Sequence, residues 1–186
     1  MAYLHEDRTI WVTGAASGIG KAAAEEILSE GGCVVGSDLP TADFSWAEGV
    51  DNMRCLTGSV SDVAHNALAV ETAVSEFGHL DGAVLNAGMA GRIDLFDGDM
   101  EFFDEVMDVN VRAVILGIRA CASAMRPGSA ITVTASTSGM RGDPGMWVYN
   151  TSKAAVINLV RSTSMDLAAK GIRINAVCPG PTETGM

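Results

Sequence analysis

A glycine-punctuated turn between a β-prone run and a helix-prone run constrains this chain more than any other feature. Thr9-Ile10-Trp11-Val12-Thr13 is short, apolar and β-prone, and Gly14-Ala15-Ala16-Ser17-Gly18-Ile19-Gly20 follows it. Next comes Lys21-Ala22-Ala23-Ala24-Glu25-Glu26-Ile27-Leu28, rich in strong helix formers. The order is strand, tight turn, helix. Glycine admits the turn and a close approach of backbone to an anion, to which a helix N-terminus offers free N–H groups and a positive dipole end. The spacing is Gly-x-x-x-Gly-x-Gly rather than the commoner Gly-x-Gly-x-x-Gly. Alone, it also reads as a strand-to-helix turn that binds nothing.

The rest of the chain repeats this alternation. Strands are predicted at 9–13, 33–37, 53–57, 81–85, 130–135 and 172–177, and helices at 18–30, 62–77, 100–125 and 148–169. Gly31-Gly32, Gly78 and Gly171 stand where helices should stop, and 41–48 has room for a short helical turn. Strands alternating with helices imply parallel βαβ units, with the sheet covered on both faces. At 186 residues, one domain spanning 1–186 is expected. In such a sheet a nucleotide binds beyond the carboxyl ends of the strands, near the point where strand order reverses. Thr13, Asp38, Asn86, Ser136 and Pro179 all fall at such ends.

Asp38 closes the second strand, 18 positions after Gly20. An acid there suits the two ribose hydroxyls of NAD and repels the 2′-phosphate of NADP. Neither Ser17 nor Leu39 supplies a basic group in its place. Near the other end, Tyr149 and Lys153 stand four apart at the start of a helix-compatible stretch, as neighbours on one face. An ammonium beside a phenol favours the phenolate over its reference pKa of about 10, which makes an acid/base for near-neutral pH. Alone, this pair is more simply an exposed helix face.

Taken together, these residues resemble the short-chain dehydrogenase/reductase family. The resemblance rests on Thr13-Gly14-Ala15-Ala16-Ser17-Gly18-Ile19-Gly20, Asn86-Ala87-Gly88, Asn110, Ser136, Tyr149-x-x-x-Lys153 and Pro179-Gly180, in the family's order and spacing across essentially the whole chain. It implies a Rossmann-like doubly wound parallel sheet in a three-layer α/β/α arrangement, with six strands and the family's last strand missing. It implies an NAD-dependent oxidoreductase that interconverts a secondary alcohol and a ketone. By resemblance Tyr149 is the acid/base, Lys153 holds the nicotinamide ribose and lowers the Tyr149 pKa, and Ser136 binds the reacting oxygen. Asn110 holds a water linking Lys153 to solvent. Gly14, Ser17, Gly18, Ile19 and Gly20 cradle the diphosphate; Asp38 reads the ribose; Ser59, Val60, Asn86, Ala87 and Gly88 line the adenosine side. The run Pro179, Gly180, Thr182, Thr184 contacts the carboxamide and phosphates.

The chain departs from the family pattern in three places. Leu85 stands where a first Asn often precedes Asn86, and Ser59 where an Asp often binds the adenine amino group. The family also continues beyond the position of Met186, so the cofactor half and the catalytic residues are expected without a substrate lid. A non-catalytic NAD-binding scaffold, or an inactive fragment, is the alternative reading.

Composition narrows the partners. Net charge is −11, from 12 Lys and Arg against 23 Asp and Glu, with no basic run, so neither nucleic acid nor an anionic membrane is expected as a partner. Cys33, Cys55, Cys121 and Cys178 show no paired spacing, and the opening residues lack a signal-peptide pattern, so a cytoplasmic chain with free thiols is expected. His5, His65 and His79 show no metal-ligand spacing, and no metal is expected. The 100–125 helix is apolar around much of its circumference, which predicts burial on two sides and, with the resemblance, a homodimer or homotetramer. Met89, Ala90, Ser138, Met140, Met146 and the residues from Pro181 are the expected pocket for a small alcohol or ketone, an apolar one.

Overall fold

The computed structural model describes residues 4–183. Six strands, β1 (Thr9–Thr13), β2 (Cys33–Asp38), β3 (Met53–Thr57), β4 (Gly82–Leu85), β5 (Ala130–Thr134) and β6 (Arg173–Val177), pair in parallel in the order β3-β2-β1-β4-β5-β6. The helices are α1 (Gly18–Ser29), α2 (Val63–Phe77), α3 (Met100–Met107), α4 (Ala113–Ala124) and α5 (Trp147–Ala168). Short 3-10 turns at Ser45–Ala47 and Thr137–Gly139 complete the elements. This is the doubly wound Rossmann-like α/β arrangement expected from the alternation of strands and helices.

Strand alternation sorts the core into two layers. Trp11, Val35, Ala83, Leu85, Ile131 and Ile174 face one side and pack with residues of α2, α4 and α5. Ile10, Val12 and Val34 face the other and pack with Ala24 and Ile27 of α1 and with Phe44, Trp46 and Ala47. Trp11 is fully buried, and its indole N–H donates to Ser37 Oγ at 2.9 Å, so its burial leaves no unpaired donor. On β6, Arg173, Asn175 and Val177 are exposed.

Helix ends follow local chemistry. Asp62 caps α2 by accepting the Ala64 N–H, and Gly78 ends it in the left-handed region at φ +85°. Asp99 caps α3 by accepting the Glu101 N–H.

The predicted 100–125 helix differs from expectation. It is one helical path broken into α3 and α4 by a π turn over Asp108–Arg112, with Asn110 at its centre. A π turn inserts a residue into the helical ladder and is typical of functional positions. The apolar surplus of this stretch is mostly covered within the chain: Val106, Val114 and Ile118 are buried, and Phe102 and Phe103 pack beside Trp147. Met100 and Ile115 are its exposed large apolar residues.

Candidate active site

The strand order reverses between β1 and β4, and the loops after both meet there. Thr13 organises the junction. Its Oγ1 accepts the backbone N–H groups of Asn86 and Ala87, both at 2.9 Å. Asn86 Nδ2 donates to Thr13 O at 3.2 Å, and Asn86 Oδ1 accepts the Thr134 hydroxyl at 3.1 Å. The Asn86 side chain therefore ties β1, β4 and β5 together. Gly14 stands at φ +68° against Asn86 and Ala87, and a Cβ on Gly20 would collide with the Gly14 carbonyl.

Ser17 caps α1 in extended conformation without a side-chain bond to the first turn, which leaves the N–H groups of that turn available. Asp38 closes β2 against this loop. Its Oδ2 accepts the Ala16 N–H at 2.9 Å and its Oδ1 accepts the Leu39 N–H at 2.8 Å. Each carboxylate oxygen keeps a second lone pair for another donor. A loop without side chains at 14, 18 and 20, an uncapped helix start and a carboxylate at the end of β2 fit the diphosphate and ribose of a dinucleotide.

Beyond β3, Gly58 N–H donates to Asp38 O, Ser59 Oγ accepts the Ser61 N–H, and Val60 O accepts Asn66 Nδ2 at 2.7 Å. Asn66 also donates to Asp62 O, and the buried His65 ring packs against Gly58. His65 is held below the usual histidine range by its burial, which Asp62 partly offsets. Reading the sequence missed both residues as supports of this loop. A polar side chain at an inward α2 position was the available signal.

Four polar residues converge on the other side. Asn110 is fully buried; its Oδ1 accepts the Met89 N–H at 2.8 Å, and its Nδ2 donates to Met89 O and to Ser152 Oγ, both at 2.9 Å. Ser152 in turn donates to Tyr149 O at 2.8 Å. Lys153 lies one turn beyond Tyr149 on α5, with Nζ 5.8 Å from the centroid of the Tyr149 ring and donating to Thr134 O at 2.8 Å. Lys153 is 5% exposed, and burial pulls its pKa down from 10.5 to about 8, against a smaller opposing effect of Cys178. A Cβ on Gly88 would stand 3.1 Å from Asn110 Oδ1 and 3.3 Å from Lys153 Nζ, so these two side chains meet over Gly88.

Ser136 follows β5 and is nearly buried, its Oγ accepting the Ser138 N–H at 3.1 Å. Its turn rests on α5, since a Cβ on Gly139 would lie 2.6 Å from the Lys153 carbonyl carbon. The segment after β6 holds the same turn from the far side, with Pro179 O accepting the Thr137 N–H at 3.0 Å. Thr182 donates to Gly180 O at 3.0 Å and is exposed; Thr184 lies outside the described residues.

At the start of α5 opens a cleft of about 530 Å³, lined among others by Ile93, Asp94, Leu95, Asp143, Trp147 and Asn150. Of the residues expected to line an apolar pocket, Met89 packs with Ile93, Val106 and Val148, and Met140 is exposed; the lining of this cleft includes two carboxylates. Among the described residues no three His, Cys, Asp or Glu side chains form a metal-ligand group, and no helix is long and apolar enough to cross a membrane.

Residues 14–186 match the family model described as enoyl-(acyl carrier protein) reductase. The chain is 38% identical to 2-(R)-hydroxypropyl-CoM dehydrogenase of Xanthobacter autotrophicus, over 96% of this chain and 76% of that one. Among solved structures, a dehydrogenase/reductase from Sinorhizobium meliloti superposes with a TM-score of 0.92 at 29% identity, covering 99% of this chain and 76% of that one. A short chain dehydrogenase from Burkholderia cenocepacia in complex with NADP gives a TM-score of 0.92 at 32% identity, covering 97% and 77%.

Proposed function

The chain belongs to the short-chain dehydrogenase/reductase family of oxidoreductases, and on that premise we propose that it interconverts a secondary alcohol and a ketone with NAD as its cofactor. One observation carries the reading: Ser136, Tyr149, Lys153 and Asn110 gather at one end of the sheet, next to the glycine loop and Asp38. A bound nicotinamide supplies the acceptor or donor of hydride.

The chain's own residues do the rest. Tyr149 takes the hydroxyl proton of the alcohol. Ser136 keeps its O–H for the reacting oxygen, because its Oγ accepts the Ser138 N–H while no acceptor among the described residues takes its proton. Lys153, a buried cation at neutral pH, stands with its Nζ 5.8 Å from the centroid of the Tyr149 ring and would hold the ribose. Asn110 fixes Met89 and, through Ser152, the backbone at Tyr149, and it stands beside Lys153 where a proton path to water begins.

Gly14, Ser17, Gly18, Ile19 and Gly20 would hold the diphosphate, and Ser59, Val60, Asn86, Ala87 and Gly88 the adenosine side. Pro179, Gly180, Thr182 and Thr184 would contact the carboxamide and phosphates. NAD is favoured over NADP by Asp38, whose carboxylate would face the 2′-phosphate with no basic side chain at 17 or 39. A 2-hydroxypropyl group, named in one relative, is a secondary alcohol, which supports that substrate class. One dinucleotide-binding domain carries this chemistry. A homodimer or homotetramer belongs to the proposal and rests on the exposed Ile115 of α4 and Met165 of α5.

The test is NADH formation from NAD across a panel of secondary alcohols, with Tyr149→Phe as the control. Turnover that disappears in Tyr149→Phe supports the reading. Turnover retained by the variant removes Tyr149 from it.

A further inference from the structure

Ser136 is placed by a residue seven positions downstream. Its Oγ accepts the Ser138 N–H, and among the described residues no acceptor takes its own proton. The Ser138 hydroxyl donates to Asp143 Oδ2. Asp143 is half-buried on the wall of the cleft at the start of α5. Its backbone oxygen accepts Asn150 Nδ2 at 3.0 Å and the Met146 N–H at 3.2 Å, and Met146 O accepts the Asn150 N–H at 2.8 Å. One residue therefore holds the turn carrying Ser136 with its carboxylate and the first turn of α5, where Tyr149 sits, with its carbonyl.

We propose that Asp143 is a positioning residue: through Ser138 it aims the Ser136 hydroxyl at the reacting oxygen and sets the distance between Ser136 and Tyr149. The proposal rests on the reading of Ser136 given above. The physical reason is directional. A carboxylate makes a stronger hydrogen bond than a neutral acceptor. Pinning the Ser138 hydroxyl fixes that residue's backbone, whose N–H then occupies one Oγ lone pair of Ser136. The Ser136 proton is left without an acceptor among the described residues, free for the reacting oxygen. Preorganised donors of this kind act without reorganising at the moment of reaction. The 3-10 turn has no other carboxylate anchor among the described residues. Arg141 Nε, 3.5 Å from Asp143 Oδ1, is too distant for a hydrogen bond and leaves Oδ2 to Ser138.

Two readouts test it. In ¹⁵N-labelled protein, Asp143→Ala is expected to speed exchange of the Ser138 amide about tenfold, the loss of roughly one hydrogen bond. Asp143→Asn, which keeps an acceptor, should stay within about threefold of the native rate. With the alcohol selected in the screen above, Asp143→Ala should lower kcat about tenfold at unchanged NADH affinity, Asp143→Asn should restore most of that loss, and Ser138→Ala/Asp143→Ala should be no slower than either single variant. Ser138→Ala removes the same bond from the other side should Asp143→Ala fold poorly. Native Ser138 exchange in Asp143→Ala, or multiplying losses in the double variant, overturns the proposal. Full turnover in Ser136→Ala would instead overturn the role of Ser136, an outcome that the amide exchange separates from failure of the Asp143–Ser138 link.

Discussion

The side chain of Asn110 brackets the backbone of Met89, accepting its N–H at 2.8 Å and donating to its carbonyl at 2.9 Å. A single amide thereby satisfies two backbone groups in the loop after β4 and locks that loop to the π turn. Replacing Asn110 with Leu leaves both groups, and the Ser152 hydroxyl, without this partner. The expected loss is about 2–4 kcal/mol in urea unfolding, since each unsatisfied buried polar group costs roughly 1–3 kcal/mol. A loss below about 0.5 kcal/mol would mean that the loop finds other partners.

Lys153 gives the protein a pH signature. Its pKa falls from 10.5 to about 8 in the folded chain. Below about 8 both states carry the proton, and the cost of burying the charge is fully present. Between about 8 and 10.5 the native state releases the proton while the unfolded chain keeps it, so this group makes stability rise with pH through that window. The rise attributable to Lys153 is on the order of 3 kcal/mol across the window. Lys153→Met should lack it, and the native protein minus the variant, compared by denaturant unfolding from neutral to alkaline pH, isolates it. A constant difference would show that Lys153 is not desolvated as its burial implies.

Gly20 is a site where even one methyl is too many. A Cβ there runs into the Gly14 carbonyl and approaches Asn86 Nδ2, whereas a Cβ on Gly142 meets nothing within 4 Å. Gly20→Ala is expected to weaken NADH binding by at least about tenfold, because the loop must open to admit it. Gly142→Ala should stay within about threefold in the same fluorescence titration. Equal affinities would mean that the loop at 14–20 does not touch the cofactor.

Asp38 should separate the two nicotinamide cofactors. Removing its carboxylate in Asp38→Ala takes away the repulsion of a 2′-phosphate and also the acceptor of the Ala16 N–H. The ratio of NADH to NADPH affinity is expected to fall by about tenfold or more, with NADPH gaining in absolute terms. An unchanged ratio in parallel calorimetric titrations would take the ribose contact away from Asp38.

Much of this architecture could be read in advance because its signals are local. The strand-turn-helix at 9–28, the left-handed stop at Gly78 and the 3-10 turn in the 41–48 connection each follow from residue types within a few positions of one another. Asparagine competes for backbone hydrogen bonds, so Asn110 in mid-helix fits a kink and an exposed polar face equally well, and the π turn there did not follow from propensity. What stayed hidden depends on contacts between distant segments. The resemblance gives Asn86 a place on the adenosine side but not the bonds of its side chain to Thr13 and Thr134 on two other strands. Asn66 under Val60, and Asp143 reaching back to Ser138, belong to the same class: ordinary polar residues whose partners are set by how loops and helices pack.

The most direct test of the central claim pairs two measurements on one variant: NADH binding and alcohol-dependent NADH formation for the native chain and Tyr149→Phe. The expected result is equal NADH affinity within about twofold, with turnover in the variant lowered by at least about a hundredfold, as befits loss of the proton-transferring group. Comparable turnover in both proteins, or no NADH binding by the folded native chain, would contradict it.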